Sequence, residues 1–317
     1  MNIPVFDLHC DTALALLGRD FHAEGMLRKN NFHIDLERAG QLAGYAQCFA
    51  CFTSPSDKLP GAMTIEDVFE RELSVIMREL NANADLIRQA YTADEVEENQ
   101  ANGLMSAILT IEGPAGFGFD PELLPMLHKA GFRMSSLGWN EKNVLIGSHR
   151  TGGGLTDLGL AYMKSCQELG MMVDVSHCSD EGFWDIIKHT TKPIVASHSN
   201  SRFVCNNSRN LTDDMFRAVM ETGGVAGFNQ CAPFVGENCD LDTVCDHILH
   251  WLEMDPDGKH IALGGDLDGC DELPKGFDGI QSYPAMAQRL KERGLDDKLL
   301  YNLYWNNALG VMDTCCM

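Results

Sequence analysis

The chain has 317 residues, 44% of them hydrophobic, a formal net charge of −22 and twelve cysteines. That size and apolar content provide for a large buried core, and the acidic balance excludes a nucleic-acid-binding face, which needs clustered lysine and arginine. With no apolar run near the ~18 residues of a membrane span and no basic-then-apolar N-terminal segment, the expectation is a cytoplasmic protein with reduced thiols and no membrane attachment.

Residues 3–9 form the first strand candidate, which runs into Phe6-Asp7-Leu8-His9-Cys10-Asp11-Thr12. A strand alternates faces, so His9 and Asp11 point the same way with Cys10 opposite. An imidazole beside a carboxylate at a strand tip is half of a divalent-metal site; the competing reading has Asp11 capping a helix that begins near Thr12. Residues 12–44 give no clear pattern, and residues 45–52 are strand-like. Over residues 64–90, Ile65, Val68, Phe69, Leu73, Ile76, Met77, Leu80 and Ile87 fall on one helical stripe behind a Thr64–Asp67 start signal. Residues 104–111 are an apolar run of strand length closed by Glu112-Gly113-Pro114. A carboxylate directly after such a run is costly to bury alone, and a cation beside it removes the cost; the alternative is that Glu112 merely closes a turn.

Residues 132–137 make the next strand and lead into Gly138-Trp139-Asn140. Glycines 152–154 read as a flexible loop rather than an anion cradle, ahead of a helix over 155–169 that stops at Gly170. Four further strands follow at 171–175, 194–197, 225–228 and 261–263, with helices over 180–190, 212–222 and 241–254 between them. Helices over 284–293 and 297–312 end the chain, with Cys315 and Cys316 at an end expected to be mobile. Two of the late strands run into histidines, Val173-Asp174-Val175-Ser176-His177 and Ile194-Val195-Ala196-Ser197-His198, which offer the second half of a metal site.

Eight strands, most of them followed by a helix, imply a parallel sheet covered by helices. Eight such units fit an α/β fold of the (β/α)8 TIM-like barrel type, in one domain over 1–317. An open doubly wound sheet is the competitor, but no G-x-G-x-x-G follows the first strand. His9, Asp11, Glu112, His177, His198 and Asp266 all lie at or just beyond the C-terminal end of a strand, and in a barrel those ends share the face that holds the active site. The expectation is therefore a hydrolase with two metals. Asp266 and Asp268, in Gly264-Gly265-Asp266-Leu267-Asp268-Gly269, have a competing reading as turn residues that bond their own backbone. Arg209 is either a solvated loop charge or a fork for a substrate carboxylate.

Five segments in order, covering nearly the whole chain, resemble the membrane (renal-type) dipeptidase family, metallopeptidases with a barrel fold and a two-zinc centre. They are the opening His9-x-Asp11 segment, Thr110-Ile111-Glu112-Gly113, the paired Val173–His177 and Ile194–His198 segments, Arg209-Asn210-Leu211-Thr212-Asp213, and Gly264–Gly269. The resemblance implies two Zn2+ per chain, with His9 and Asp11 on one ion, His177 and His198 on the other, and Glu112 bridging both. It further implies Arg209 on the substrate's terminal carboxylate, Asp266 as a proton carrier at the scissile bond, a small dipeptide substrate and a homodimer. In the family a D residue at the second position is sometimes accepted. One departure stands out: where mammalian-type members carry an oxyanion-binding histidine after the fourth strand, this chain has Trp139, placed in the substrate pocket, and His149 is only a distant substitute.

The chemistry agrees. Amide hydrolysis needs an activated water and a polarised carbonyl, and two divalent ions holding a bridging hydroxide supply both, with Glu112 taking up the water's proton and Asp266 protonating the leaving amine. Side-chain preference is expected to sit in loops 53–63, 140–154 and 231–240. The rivals are a metal-dependent hydrolase of another amide, a lactam or a phosphoester, and a zinc-binding homologue without activity.

Overall fold

Apolar runs of three to eight residues become eight strands, β1 (Val5–Cys10), β2 (Tyr45–Phe52), β3 (Met105–Glu112), β4 (Phe132–Ser136), β5 (Met172–Asp174), β6 (Ile194–Ala196), β7 (Val225–Phe228) and β8 (Ile261–Leu263). In the computed structural model, which describes residues 3–17, 26–56 and 63–316, each strand pairs in parallel with the next and β8 returns to β1 through Asp7 opposite Leu263. The closed eight-stranded barrel with helices between its strands is the expected α/β, TIM-like architecture. β1, β2 and β3 are buried along their whole length, as strands covered on both faces must be.

The interior is packed, not hollow. One apolar cluster takes residues from all eight strands, among them Phe6, Cys48, Ile108, Met134, Val195 and Ala262, and joins them to Trp305, Ala308 and Met312 of the C-terminal segment. Phe6 and Trp305 lie 5.8 Å apart, ring to ring, and Cys315 and Cys316 are buried there beside the carbonyls of Pro193 and Arg133 at the starts of β6 and β4. The last helix thus closes the barrel at the N-terminal ends of the strands, and the two cysteines expected at a mobile end belong to that closure.

The first long helix begins as expected. Thr64 Oγ1 accepts from the Asp67 N–H (3.1 Å) and Asp67 Oδ2 accepts from the Thr64 N–H (2.8 Å), a reciprocal cap. It ends at Ala82, not 90. Ile87 falls on the stripe only by coincidence, because Ile87–Gln89 forms a short strand that pairs with the start of β3. Helices also form where no clear periodic signal was present: Thr12–Leu17 and Leu36–Ala39 within the unpatterned residues 12–44, and Ala93–Ala101 and Leu124–Ala130. Gly170 ends the helix Asp157–Leu169 with φ 79°, as expected of a left-handed stop. Glycines 152–154 are not a flexible loop: Gly152–Leu155 pairs antiparallel with Ile146–Ser148, and Gly152 (φ 66°) and Gly153 (φ 98°) take backbone angles closed to most side chains. The C-terminal segment, read as one helix over 297–312, is Asp297–Tyr301 and Asn307–Cys315 joined by a π turn.

Candidate active site

His9, Asp11, Glu112, His177, His198 and Asp266 meet at the C-terminal mouth of the barrel. Glu112 sits among the histidines. Its Oε1 lies 2.9 Å from His177 Nε2 and 3.5 Å from His198 Nε2, and its Oε2 lies 3.4 Å from His9 Nε2. His9 Nε2 is 3.8 Å from both Asp11 Oδ2 and Asp266 Oδ1, and the His9 and His198 rings stack at 3.7 Å. All six residues are buried.

Strict alternation alone does not put His9 there. Phe6 and Leu8 belong to the barrel interior, so His9 would face the helices. The β1–β2 register shifts between Asp7 and Cys10, and this bulge re-aims His9 inward, where Asp11 joins it. Asp7 stays on the outer face and ties the strand tips together. Its carboxylate accepts from the N–H groups of His9 and Gly265 (3.0 Å each) and from the Tyr283 hydroxyl. Asp266 and His177 hold left-handed backbone angles (φ 56° and 69°), a conformation that costs about 1–3 kcal/mol each in non-glycine residues and concentrates at functional sites. Gly269 leaves room beside them, since a Cβ there would overlap the Asp11 carboxylate.

Proton positions follow from the partners. His198 Nδ1 bonds Ser197 Oγ (2.6 Å), and that hydroxyl donates to Asp174 Oδ2 (2.5 Å), so His198 carries its proton on Nδ1. His177 Nδ1 lies 3.0 Å from Asn140 Oδ1, an acceptor only, so it too is the proton-bearing nitrogen. Both Nε2 atoms then present lone pairs to each other across 3.0 Å and to Glu112 Oε1. His9 Nε2 and Asp11 Oδ1 are buried without a hydrogen-bond partner. Imidazole lone pairs and carboxylates pressed together in this way fit divalent cations. Among the described residues, ligand atoms of His9, Glu112 and His198 lie within 4.8 Å of one another, and so do those of His9, Asp11 and Asp266.

The electrostatics point the same way. Burial, with the nearby Arg209 charge, drives His177 and His198 well below the usual histidine range and keeps them neutral. Burial also pushes His9 down, but the Glu112 and Asp11 carboxylates outweigh it and leave it raised well above that range; positive charge is favoured at this spot. Burial raises Glu112 to about 7 and Asp266 to about 6.

Arg209 is not a solvated loop charge. It is buried, donates from Nη1 to Ser199 Oγ (2.9 Å), and has Nε and Nη2 without an acceptor. Asp268 is the structural member of its turn: its carboxylate accepts from Thr12 Oγ1 and the His33 N–H (2.6 Å each), and its own N–H donates to His33 Nδ1 (3.0 Å). Trp139 walls a pocket of about 240 Å³ together with Phe52, Phe234, Glu112, His177 and Asp266; its ring meets Phe52 edge-on at 4.8 Å. Larger surface hollows, of about 570 and 600 Å³, carry none of these groups. His149 stands 6.1 Å from the His177 ring, with Nε2 on Asn140 Oδ1 (2.9 Å) and Nδ1 on Ser208 Oγ (3.0 Å); burial lowers it to about 4. Of the loops expected to set specificity, 140–154 and 231–240 supply Asn140, Cys231 and Phe234 to the pocket, while residues 57–62 of the loop 53–63, like His22, lie outside the described residues. Asn140, Asp174, Ser197 and Asn229 were not singled out from sequence; the available signal was a polar residue inside or just after an apolar run.

A sequence profile of the family described as Membrane dipeptidase (Peptidase family M19) matches residues 1–315. An uncharacterized protein in the pqqA 5' region of Klebsiella pneumoniae is 31% identical over 78% of this chain and 95% of its own length. An uncharacterized dipeptidase of Schizosaccharomyces pombe is 34% identical over 66% of this chain and 53% of its own length. Among solved structures, a metallopeptidase of family M19, dipeptidase AC, superposes with a TM-score of 0.90 at 27% identity, covering 100% of this chain and 99% of its own. A metallopeptidase from Rhodobacter sphaeroides, liganded with a phosphinate mimic of the dipeptide L-Ala-D-Ala, gives 0.88 at 26% identity, over 99% of this chain and 100% of its own.

Proposed function

This chain belongs to the membrane dipeptidase family, and we propose that it is a dinuclear zinc dipeptidase, one domain over 1–317, which cleaves small peptides with a free C-terminus. His9 and Asp11 would hold one zinc, His177 and His198 the other, and Glu112 both. When bound, the ions supply Lewis acidity toward the scissile carbonyl and a water that is nucleophilic at neutral pH.

The observation that carries the substrate class is Arg209. A buried guanidinium with two unpartnered N–H groups is a poor structural element and a good receptor for a carboxylate, which it engages as a fork. Ser199, which fixes it, follows His198 directly, so the substrate's carboxylate is held next to the reacting bond. Trp139 and Phe52 present aromatic faces to the substrate side chains, and a pocket of about 240 Å³ suits two residues better than a protein loop. Asp266, raised by burial to about 6 and held by Asn229 Nδ2 (3.0 Å), delivers a proton to the leaving amine; Glu112 accepts the proton of the attacking water. The L-Ala-D-Ala mimic bound to the Rhodobacter sphaeroides peptidase supports L-D dipeptides among the substrates. All twelve cysteines are free thiols, which supports a reducing compartment such as the cytoplasm.

The test compares a dipeptide with its C-terminal amide, using wild type and Arg209→Met. Wild type should prefer the free acid by on the order of 100-fold in kcat/KM, and the variant should lose that preference by losing the acid rate. Equal rates on acid and amide, or a lactam or aryl phosphate turned over in preference to both, would contradict the assignment.

A further inference from the structure

The loops after β7 and β8 bring a second set of ligating atoms against the mouth of the barrel. Cys231, half-buried, lies three residues past β7 in the pocket wall; Cys270, seven residues past β8, is buried. Their two Sγ atoms and a carboxylate oxygen of Asp266 all lie within 4.8 Å of one another. Among the described residues this is the one cluster of three metal-capable groups that contains a thiol. The three share a frame: the Cys231 N–H donates to Asn229 Oδ1 (2.6 Å), Asn229 Nδ2 donates to Asp266 Oδ2 (3.0 Å), and Cys270 Sγ donates to the Asp266 carbonyl (2.9 Å). Neither thiol has a part in the hydrolytic chemistry.

We propose that Cys231, Cys270 and Asp266 form an inhibitory site for a soft divalent cation, distinct from the pair of sites around Glu112. Two sulfurs on one tetrahedral zinc lie about 3.8 Å apart, within the spacing found here. Thiolate ligands select Zn2+ or Cd2+ over Mg2+ or Ca2+. On binding, each thiol releases its proton to solvent, both sulfurs coordinate as thiolates and Asp266 as a carboxylate, and nothing is oxidised. Cys231 faces the pocket, so the cation is reached from the side the substrate uses. Occupancy turns Asp266 into a ligand that no longer transfers a proton. That consequence rests on the dipeptidase reading, whereas the binding itself does not.

The experiment adds Cd2+ to the two-zinc enzyme and follows three signals: thiolate-to-cadmium absorbance in the ultraviolet, bound metal per chain, and dipeptide hydrolysis. The expected result is one further equivalent, bound with that absorbance and with a more than tenfold loss of rate. In Cys231→Ser and in Cys270→Ser the absorbance disappears, and cadmium changes each variant's own rate by less than twofold. If Cys270→Ser does not fold, Cys231→Ala, at a half-buried position, carries the test. Absorbance that persists in the variants, or a further equivalent bound without absorbance, overturns the site. Absorbance with an unchanged rate overturns its inhibitory role. Failure of the cadmium-free enzyme to cleave any dipeptide counts against the dipeptidase reading alone, since absorbance and stoichiometry still decide the site.

Discussion

The histidines of this centre are set up by the residues that bond their Nδ1 atoms. Asn140 fixes His177 through Nδ1, and the Asp174–Ser197 pair fixes His198; in each case the distal nitrogen is left bare toward Glu112. Partners of this kind typically account for 10–100-fold in metal affinity. Asn140→Ala and Ser197→Ala should each weaken zinc binding by about that factor, measured by competition with a chromophoric chelator, while unfolding stays cooperative. Unchanged affinity in both would mean the tautomers are set by something else. At this scale the sequence was readable where an apolar run led into a residue of the cluster, as at Glu112, His177 and His198. It was less readable where backbone geometry decides. The inward aim of His9 depends on a bulge that alternation does not announce, and Asn140 acts from a loop with no periodicity at all.

Between elements, the loop that carries Arg209 is fastened from below by the helix Leu241–Met254. His247 on that helix accepts the Ser201 N–H at Nδ1 (3.1 Å) and donates from Nε2 to the Val235 carbonyl (2.8 Å), a pattern that only the neutral ring satisfies. Burial lowers it to about 4, whereas the unfolded chain titrates near 6.5. Between those values the unfolded state binds more protons, so this contribution is present above about pH 6.5 and is lost as pH falls toward 4. The loss is about 2 kcal/mol between pH 8 and pH 5. Urea unfolding should give a stability difference between pH 8 and pH 5 that is about 2 kcal/mol more positive in wild type than in His247→Gln; the same difference in both would refute the assignment. The helix itself is anchored by Asp240, whose carboxylate accepts from the Asp242 and Thr243 N–H groups (3.0 and 3.1 Å), and Asp240→Ala should cost about 1 kcal/mol in the same assay. Helices with such caps and a clean stripe were legible in the sequence, whereas the boundary at Ala82 was not, because Ile87 fits a helical stripe and a short buried strand equally well.

For the molecule as a whole, the barrel separates stability from chemistry. Apolar side chains and the C-terminal segment fill the N-terminal end of the barrel, and the clustered histidines and carboxylates collect at the other end. Trp305→Ala, which empties the contact with Phe6, should cost about 3–5 kcal/mol of stability yet leave kcat/KM of the remaining folded enzyme within a few-fold. A large loss of turnover at full folding would mean that the two ends are coupled. The eight-strand count, the parallel order and the shared rim were all visible as alternation of apolar runs with helical stripes, because a closed sheet covered on both sides requires that pattern. The role of residues 302–316 as a closure was not, since a helix that plugs a barrel and a helix that covers it present the same apolar stripe. The central claim is that five rim residues, His9, Asp11, Glu112, His177 and His198, hold a catalytic pair of metal ions beside Asp266. Metal content of the purified, chelator-free protein, assayed alongside dipeptide hydrolysis, tests it most directly. The account predicts two zinc equivalents per chain and turnover that falls with their removal and returns with zinc. A folded protein that carries no metal, takes up none when zinc is supplied, and hydrolyses dipeptides regardless would contradict it.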